Sequence, residues 1–292
     1  MKIGFIGLGK MGKALVLSMR EKGIEVLAWN RSQNEVANVA SVEEMMEQLE
    51  AGKRIVWLMV PAGSAVDEMI TKIHPMLSAG DLVIDGGNSF YKDDLRRGEL
   101  LAKDGIGYMD VGVSGGPKGA REGACLMIGG DRAQYERLME IWQAISAPDS
   151  FEYFGTISAG HFAKMVHNGI EYGMMQAIAE GAAVLKASHY NFDLAKVFAL
   201  YNHNSVISSR LVGWTEAAFK IDPKLEGISS KIDHTGEGEW TINTAKELGV
   251  KVPIIEESLE VRKRSTTESD NFADKTVSAM RGQFGGHPVS KK

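Results

Sequence analysis

Cysteine is almost missing from this chain of 292 residues: Cys125 stands alone, so no internal disulfide can form and a reducing, cytoplasmic setting is expected. No group of Cys and His residues has the spacing of a metal site, and no metal is expected. Charge of one sign is not in excess either, with 33 Lys and Arg against 38 Asp and Glu and a net charge of -5. Nucleic acid is therefore not an expected partner. Long apolar runs are absent too. None approaches the roughly 20 residues of a membrane helix, so no membrane association is expected. The uncharged stretch Ile3 to Gly9, which ends at Lys10, is too short and glycine-rich for the core of a secretion signal. What remains is ordinary globular composition, 44% hydrophobic and 24% charged, in a chain longer than one core usually serves. Two domains and a small-molecule ligand are the expectation.

The first half alternates strand-like runs with helix-like segments. Strands are predicted at Lys2 to Ile6, Glu25 to Trp29, Arg54 to Val60, Asp81 to Asp85, Gly107 to Val111 and Cys125 to Ile128. Segments such as Met11 to Lys22, Val66 to Met76 and Lys92 to Lys103 repeat apolar residues every third or fourth position, as helices do. This pattern predicts an α/β fold with a doubly wound, Rossmann-type parallel sheet. After Phe154 strand-like runs nearly vanish, and Ser158 to Ser188 reads as one long helix rich in Ala, Met, Ile and Gly. The second domain is expected to be all-helical. The boundary falls near Gly155 to Ser158, where a serine suits a helix cap, giving domains 1–156 and 157–292. Residues from Arg281 to Lys292, with Gly282, Gly285, Gly286 and Pro288, are expected to leave the helix and form a tail.

Gly7-Leu8-Gly9-Lys10-Met11-Gly12 is a G-x-G-x-x-G that follows the first strand and opens the first helix. The first glycine permits a tight turn, the second lets the backbone approach a pyrophosphate, and the third lets helix and sheet pack closely. The helix N-terminus attracts the phosphates. At the end of the second strand an NAD binder normally places an acid on the ribose 2'-hydroxyl. Here Asn30, Arg31 and Ser32 supply an amide, a guanidinium and a hydroxyl, which suit a 2'-phosphate. NADP is favoured as cofactor, with NAD possible. Val60-Pro61-Ala62 and the loop holding Asn88 sit where strands end, the edge that lines the ligand crevice of such sheets.

Within the long helix Lys164, His167, Asn168 and Glu171 fall at i, i+3, i+4 and i+7 and share one side. On a mostly apolar helix, buried on several sides, this stripe is expected to face a cleft. Desolvation would lower the lysine pKa and raise that of the glutamate, the shifts that base and acid catalysis need near neutrality. A structural Lys-Glu pair is the plainer reading. Ser114-Gly115-Gly116 offers a hydroxyl and free amides for an anion. Arg281 and His287 offer two phosphate-binding groups near the C-terminus.

Taken together, GLGKMG, NRS, IDGGNS, SGGPKGAREG, KMVHNGIEYG and RGQFGGH resemble the 6-phosphogluconate dehydrogenase family over almost the whole chain. The length resembles its short-chain form. The resemblance implies metal-independent oxidative decarboxylation of 6-phosphogluconate to ribulose 5-phosphate, with Lys164 as base and then acid and Glu171 as the proton donor to carbon. It also implies that Asn88, Ser114, Gly115, Gly116, His167 and Asn168 surround the sugar acid, with Tyr172 and Arg262 near its phosphate. Arg281 and His287 match groups that reach a neighbouring subunit's site, which implies a homodimer or homotetramer. Against the long-chain members that the resemblance brings in, three departures stand out: Pro61 replaces a lysine, Pro117-Lys118 replaces two acids, and Thr235 to Trp240 lacks basic residues. Two rivals differ in what they need. A sibling β-hydroxyacid dehydrogenase acting on a small 3-hydroxy acid has no use for Glu171 or the tail, and a non-catalytic NADP sensor has none for the Lys164 to Glu171 stripe.

Overall fold

The computed structural model describes residues 1–233, 236–267 and 270–285. Among them the chain forms β1 (Lys2–Ile6), α1 (Lys10–Glu21), β2 (Glu25–Trp29), α2 (Val42–Glu47), β3 (Ile55–Leu58), α3 (Ser64–Ile73), β4 (Leu82–Asp85), α4 (Tyr91–Ala102) and β5 (Gly107–Ser114). These are followed by α5 (Gly116–Glu122), β6 (Ala124–Gly129), α6 (Arg132–Arg137), α7 (Met139–Ile145) and β7 (Ser146–Gly155). Then come α8 (Ala159–Ala187), α9 (Leu194–Tyr201), α10 (Arg210–Ile221), α11 (Glu237–Glu247), α12 (Pro253–Arg264) and α13 (Phe272–Gly285). Two compact units divide the chain, Met1–Met165 and Val166–Lys292. The division falls inside α8, which contributes its first two turns to the first unit and the rest to the second. No helix of the described residues is long and apolar enough to cross a membrane.

The first unit is a Rossmann-type sheet with the strand order β2-β1-β3-β4-β5-β6-β7. Strands β1, β3 and β4 are buried over all or nearly all of their length, and β2 over its three middle residues, as a sheet covered on both faces requires. One apolar cluster covers one face, centred on Trp57 stacked on Phe5 with ring centroids 5.9 Å apart. A second, with Met45, Ile70 and Tyr108, covers the other.

The sheet is not uniformly parallel. β5 and β6 run antiparallel, because only the short α5 turn joins them and a parallel return needs a crossover of about a dozen residues or more. β7 pairs parallel to β6 and is absent from the sequence-based expectation. It carries Pro148 and Asp149, the latter with a φ of 56°, and is only partly buried. Such an edge strand lacks the apolar run by which the others are legible.

The second unit is all-helical, with small cores around Phe198 and Phe219, around Met175 and Met280, and around Tyr172 and Leu259. Along α8, Met165, Tyr172, Met175, Ala179 and Ala182 are buried at spacings of seven, three, four and three, whereas Ile170, Met174 and Val184 are exposed in this chain. The expectation that Arg281 begins a tail does not hold. α13 runs to Gly285 and buries Arg281, since Val277, Ala279 and Met280 anchor its last turns.

Candidate active site

The three loop glycines serve different needs. Gly7 has a φ of 104°, and a Cβ there would stand 2.3 Å from the Met59 carbonyl oxygen. At Gly12 a Cβ would come within 2.0 Å of the Gly7 carbonyl oxygen. Both are demanded by the fold itself. Gly9 caps α1 with ordinary backbone angles, and a Cβ there would meet nothing within 4 Å. The space above Gly9, at a helix N-terminus, is open. Leu8, Lys10 and Met11 complete the turn. Asn30 braces it: its Oδ1 accepts from the Leu8 N–H at 2.8 Å, and its Nδ2 donates to the Ser32 carbonyl and hydroxyl at 3.0 and 2.9 Å. Arg31 and Ser32 are exposed beside it.

Two further loops follow β3 and β4. Val60 is half-buried, while Pro61 and Ala62 are exposed. In the Asp85-Gly86-Gly87-Asn88-Ser89 turn, a Cβ at Gly86 would stand 2.2 Å from Trp57 Nε1, so that glycine belongs to the core. Asp85, fully buried, accepts from the Gly87 N–H at 3.0 Å and from the Ser89 hydroxyl at 2.7 Å. It thereby grips the turn on both sides of the exposed Asn88. At the end of β5, Gly115 and Gly116 adopt φ of 125° and 65° after the half-buried Ser114.

The first turns of α8 press directly on the sheet. A Cβ at Gly160 would stand 2.4 Å from the Met127 carbonyl oxygen, and one at Gly112 would stand 2.4 Å from Lys164 Cβ. Glycine at these positions lets the helix approach β5 and β6, and Lys164 lies against β5 as a result. The helix cap comes from the sheet rather than from the expected serine side chain. Asp110 accepts from the Ser158 N–H and the His161 N–H, each at 2.7 Å, supplying the acceptors that first-turn donors need. His161 Nδ1 lies 2.8 Å from Asp94 Oδ2, and the Tyr108 hydroxyl donates to Asp94 Oδ1 at 2.8 Å.

These buried groups shift one another. Burial alone would depress His161, but the carboxylates of Asp94, Asp85 and Asp110 outweigh it and carry the imidazole up to about 9. Burial raises Asp94, and lifts Asp110 to about 6. Ligand-type atoms of Asp85, Asp94 and His161 lie within 4.8 Å of one another. Arg97 and the Tyr108 hydroxyl already occupy their carboxylates, so the trio forms an ion-pair network that would repel an added cation.

Further along α8, in the second unit, His167 Nδ1 lies 3.0 Å from Asn168 Oδ1 and 3.9 Å from Glu171 Oε2. Asn168 is buried and His167 and Glu171 are half-buried. Tyr172 is clamped. The Arg262 guanidinium sits 3.3 Å from its ring centroid, and a Cβ at Gly238 would come within 2.7 Å of its ring. Desolvation, countered by Tyr172, Glu171 and Glu237 but reinforced by the Arg281 charge, pulls Arg262 down to about 10, so this buried cation is still charged at neutral pH. A bound anion would relieve both penalties. His287 lies outside the described residues.

Sequence reading missed Asp85, Asp94, Arg97, Tyr108, Asp110 and His161. The available signal was a carboxylate inside an apolar strand run, as in Leu82-Val83-Ile84-Asp85, where a buried charge needs a partner.

Comparison with known proteins places the chain in a family. Residues 2–160 match the family model of the NAD binding domain of 6-phosphogluconate dehydrogenase, and residues 160–290 match the model of its C-terminal domain. A Bacillus subtilis protein named for 6-phosphogluconate dehydrogenase is 43% identical over 300 residues, covering all of both chains. The NAD(+)-dependent decarboxylating 6-phosphogluconate dehydrogenase of Haloferax volcanii is 38% identical, covering 100% of this chain and 99% of that one. The solved Plasmodium falciparum 6-phosphogluconate dehydrogenase, described in apo form and with NADP+ or 6-phosphogluconate, matches with a TM-score of 0.82 and 29% identity. That match covers 97% of this chain and 70% of the other. Two family models that together span residues 2–290, full-length relatives and a shared Rossmann-plus-helical architecture establish that the chain belongs to the 6-phosphogluconate dehydrogenase family of pyridine-nucleotide oxidoreductases.

Proposed function

We propose that the protein catalyses oxidative decarboxylation of 6-phosphogluconate to ribulose 5-phosphate and carbon dioxide, with NADP as the preferred oxidant. The observation that carries this reading is Lys164, held against β5 in the nucleotide-binding unit, with Glu171 two turns further along the same helix. Bound NADP would accept hydride from C3 of the sugar acid. The open space over Gly9 fits its pyrophosphate, since a Cβ there would fill part of that cradle. Recognition of a 2'-phosphate falls to the exposed Arg31, because the Asn30 amide is already used between Leu8 and Ser32.

In this mechanism neutral Lys164 takes the C3 hydroxyl proton as the hydride leaves, producing a 3-keto acid. The ammonium so formed hydrogen-bonds the new carbonyl oxygen, and its charge stabilises the enolate that develops as the C1–C2 bond breaks and carbon dioxide departs. Lys164 gives its proton to that oxygen to form the enediol; Glu171 then protonates the carbon that was C2, now C1, while Lys164 takes the hydroxyl proton back, so that the ketose carbonyl forms. Asn88, Ser114, Gly115, Gly116, His167 and Asn168 hold the hydroxyls and carboxylate in this reading. Tyr172 and Arg262 take the phosphate, and Arg262 has the buried charge for it. Exposed Ile170, Met174 and Val184 on α8 support a homo-oligomer, in which His287 serves a neighbouring site, whereas Arg281 is buried in its own chain with its charge felt by Arg262.

Incubation with 6-phosphogluconate is expected to yield reduced cofactor and carbon dioxide in equal amounts, with a higher kcat/KM for NADP than for NAD. The Glu171→Gln variant should lose turnover by roughly two to four powers of ten, as removal of a general acid does. Oxidation without gas release, or wild-type turnover in that variant, would overturn the reading.

A further inference from the structure

The buried charges beneath the crevice loops form one continuous chain of contacts. Arg97, from α4, donates to the Gly63 carbonyl oxygen at 3.1 Å in the loop after β3, to Asp67 at 2.8 Å and to Asp85 at 3.3 Å. Asp85 grips the turn around Asn88. The Tyr108 hydroxyl lies 3.3 Å from Asp85 and 2.8 Å from Asp94, and Asp94 holds His161 in the first turn of α8. His161 stands one turn before Lys164. Asp85, Asp94, Arg97 and His161 are each exposed by 1% or less. Apolar side chains of similar volume would serve stability as well, because the desolvation of so many charges offsets their attraction. What directional bonds supply, and apolar packing does not, is a fixed register between elements.

We propose that His161 is a positioning residue for the dehydrogenase reaction: through Asp94, Tyr108, Asp85 and Arg97 it locks the first turn of α8, and with it Lys164, to the loops carrying Gly63 and Asn88. The inference rests on the activity proposed above. Asp110 completes the lock by fixing the backbone of the same turn. The glycine loop from Gly7 to Gly12 lies outside this chain of contacts, so the pyrophosphate cradle is independent of it.

The test compares wild type with the His161→Gln and Tyr108→Phe variants, using 6-phosphogluconate with and without deuterium at C3 and with NADP. The second variant keeps the ring and removes only the hydroxyl link, and it decides alone if the first fails to fold. Misplacing Lys164 is expected to lower kcat at least tenfold, leave the KM for NADP within threefold, and raise the deuterium isotope effect on kcat/KM as hydride transfer becomes limiting. A loss caused by unfolded protein would leave the isotope effect unchanged. An unchanged isotope effect in a folded variant therefore overturns the inference whatever kcat does. No turnover by wild type would remove the activity reading and this inference with it.

Discussion

Gly9 and Gly12 share a residue type but not a constraint. Gly12 is pinned by the Gly7 carbonyl oxygen 2.0 Å from where its Cβ would stand, whereas Gly9 faces open space. Gly12→Ala is therefore expected to destabilise the fold by about 1–3 kcal/mol, the usual cost of overpacking a tight contact. Gly9→Ala should leave the melting temperature within a degree or two and weaken NADP binding, because the methyl group occupies the approach to the helix N-terminus. Thermal unfolding and cofactor titration of the two variants separate these roles. Equal losses of stability would show that Gly9 serves the fold as Gly12 does. Asn30 illustrates the same distinction: its identity reads as a cofactor choice, while its hydrogen bonds show a brace for the loop.

Helix α8 joins both units and takes its geometry from each. Gly160, Gly112 and the Asp110 cap set its first turns against the sheet. Its later turns are set by Gly169, where a Cβ would stand 2.7 Å from Thr241 Cγ2, and by the clamped Tyr172. The His161 anchor has a consequence for stability. Its pKa is about 9 in the folded chain and about 6.5 when unfolded, so folding favours the protonated ring. That contribution is complete below about pH 6.5 and is lost as the pH rises through about 9. Urea unfolding should show wild-type stability declining across this window, with a flatter profile in His161→Gln. Parallel profiles would show that the imidazole charge plays no part in holding the helix.

For the whole molecule, the match to full-length relatives such as the Haloferax volcanii enzyme means that one helical unit accompanies the nucleotide-binding unit in the short family members it resembles. Because α13 extends to Gly285 and buries Arg281, a truncation that removes only residues 286–292 spares that helix. It should raise the KM for 6-phosphogluconate at least tenfold while leaving the unfolding midpoint in place, as expected if His287 completes a neighbouring subunit's site. Unchanged kinetics would confine those residues to another role.

Local pattern was enough to read the strand, glycine turn and helix at the N-terminus, the long helix with its polar stripe, and the family. Each depends on neighbours within a few residues, where period and turn chemistry act. The antiparallel entry of β6, the edge strand β7, the burial of Arg281 and the network from Asp85 to His161 came into view with the packed fold. Those features arise from pairs such as Asp94 with His161, 67 residues apart, and Asp110 with His161, 51 apart. No periodicity records which buried acid will meet which distant base, because that pairing is settled when elements pack and charges excluded from water must find partners.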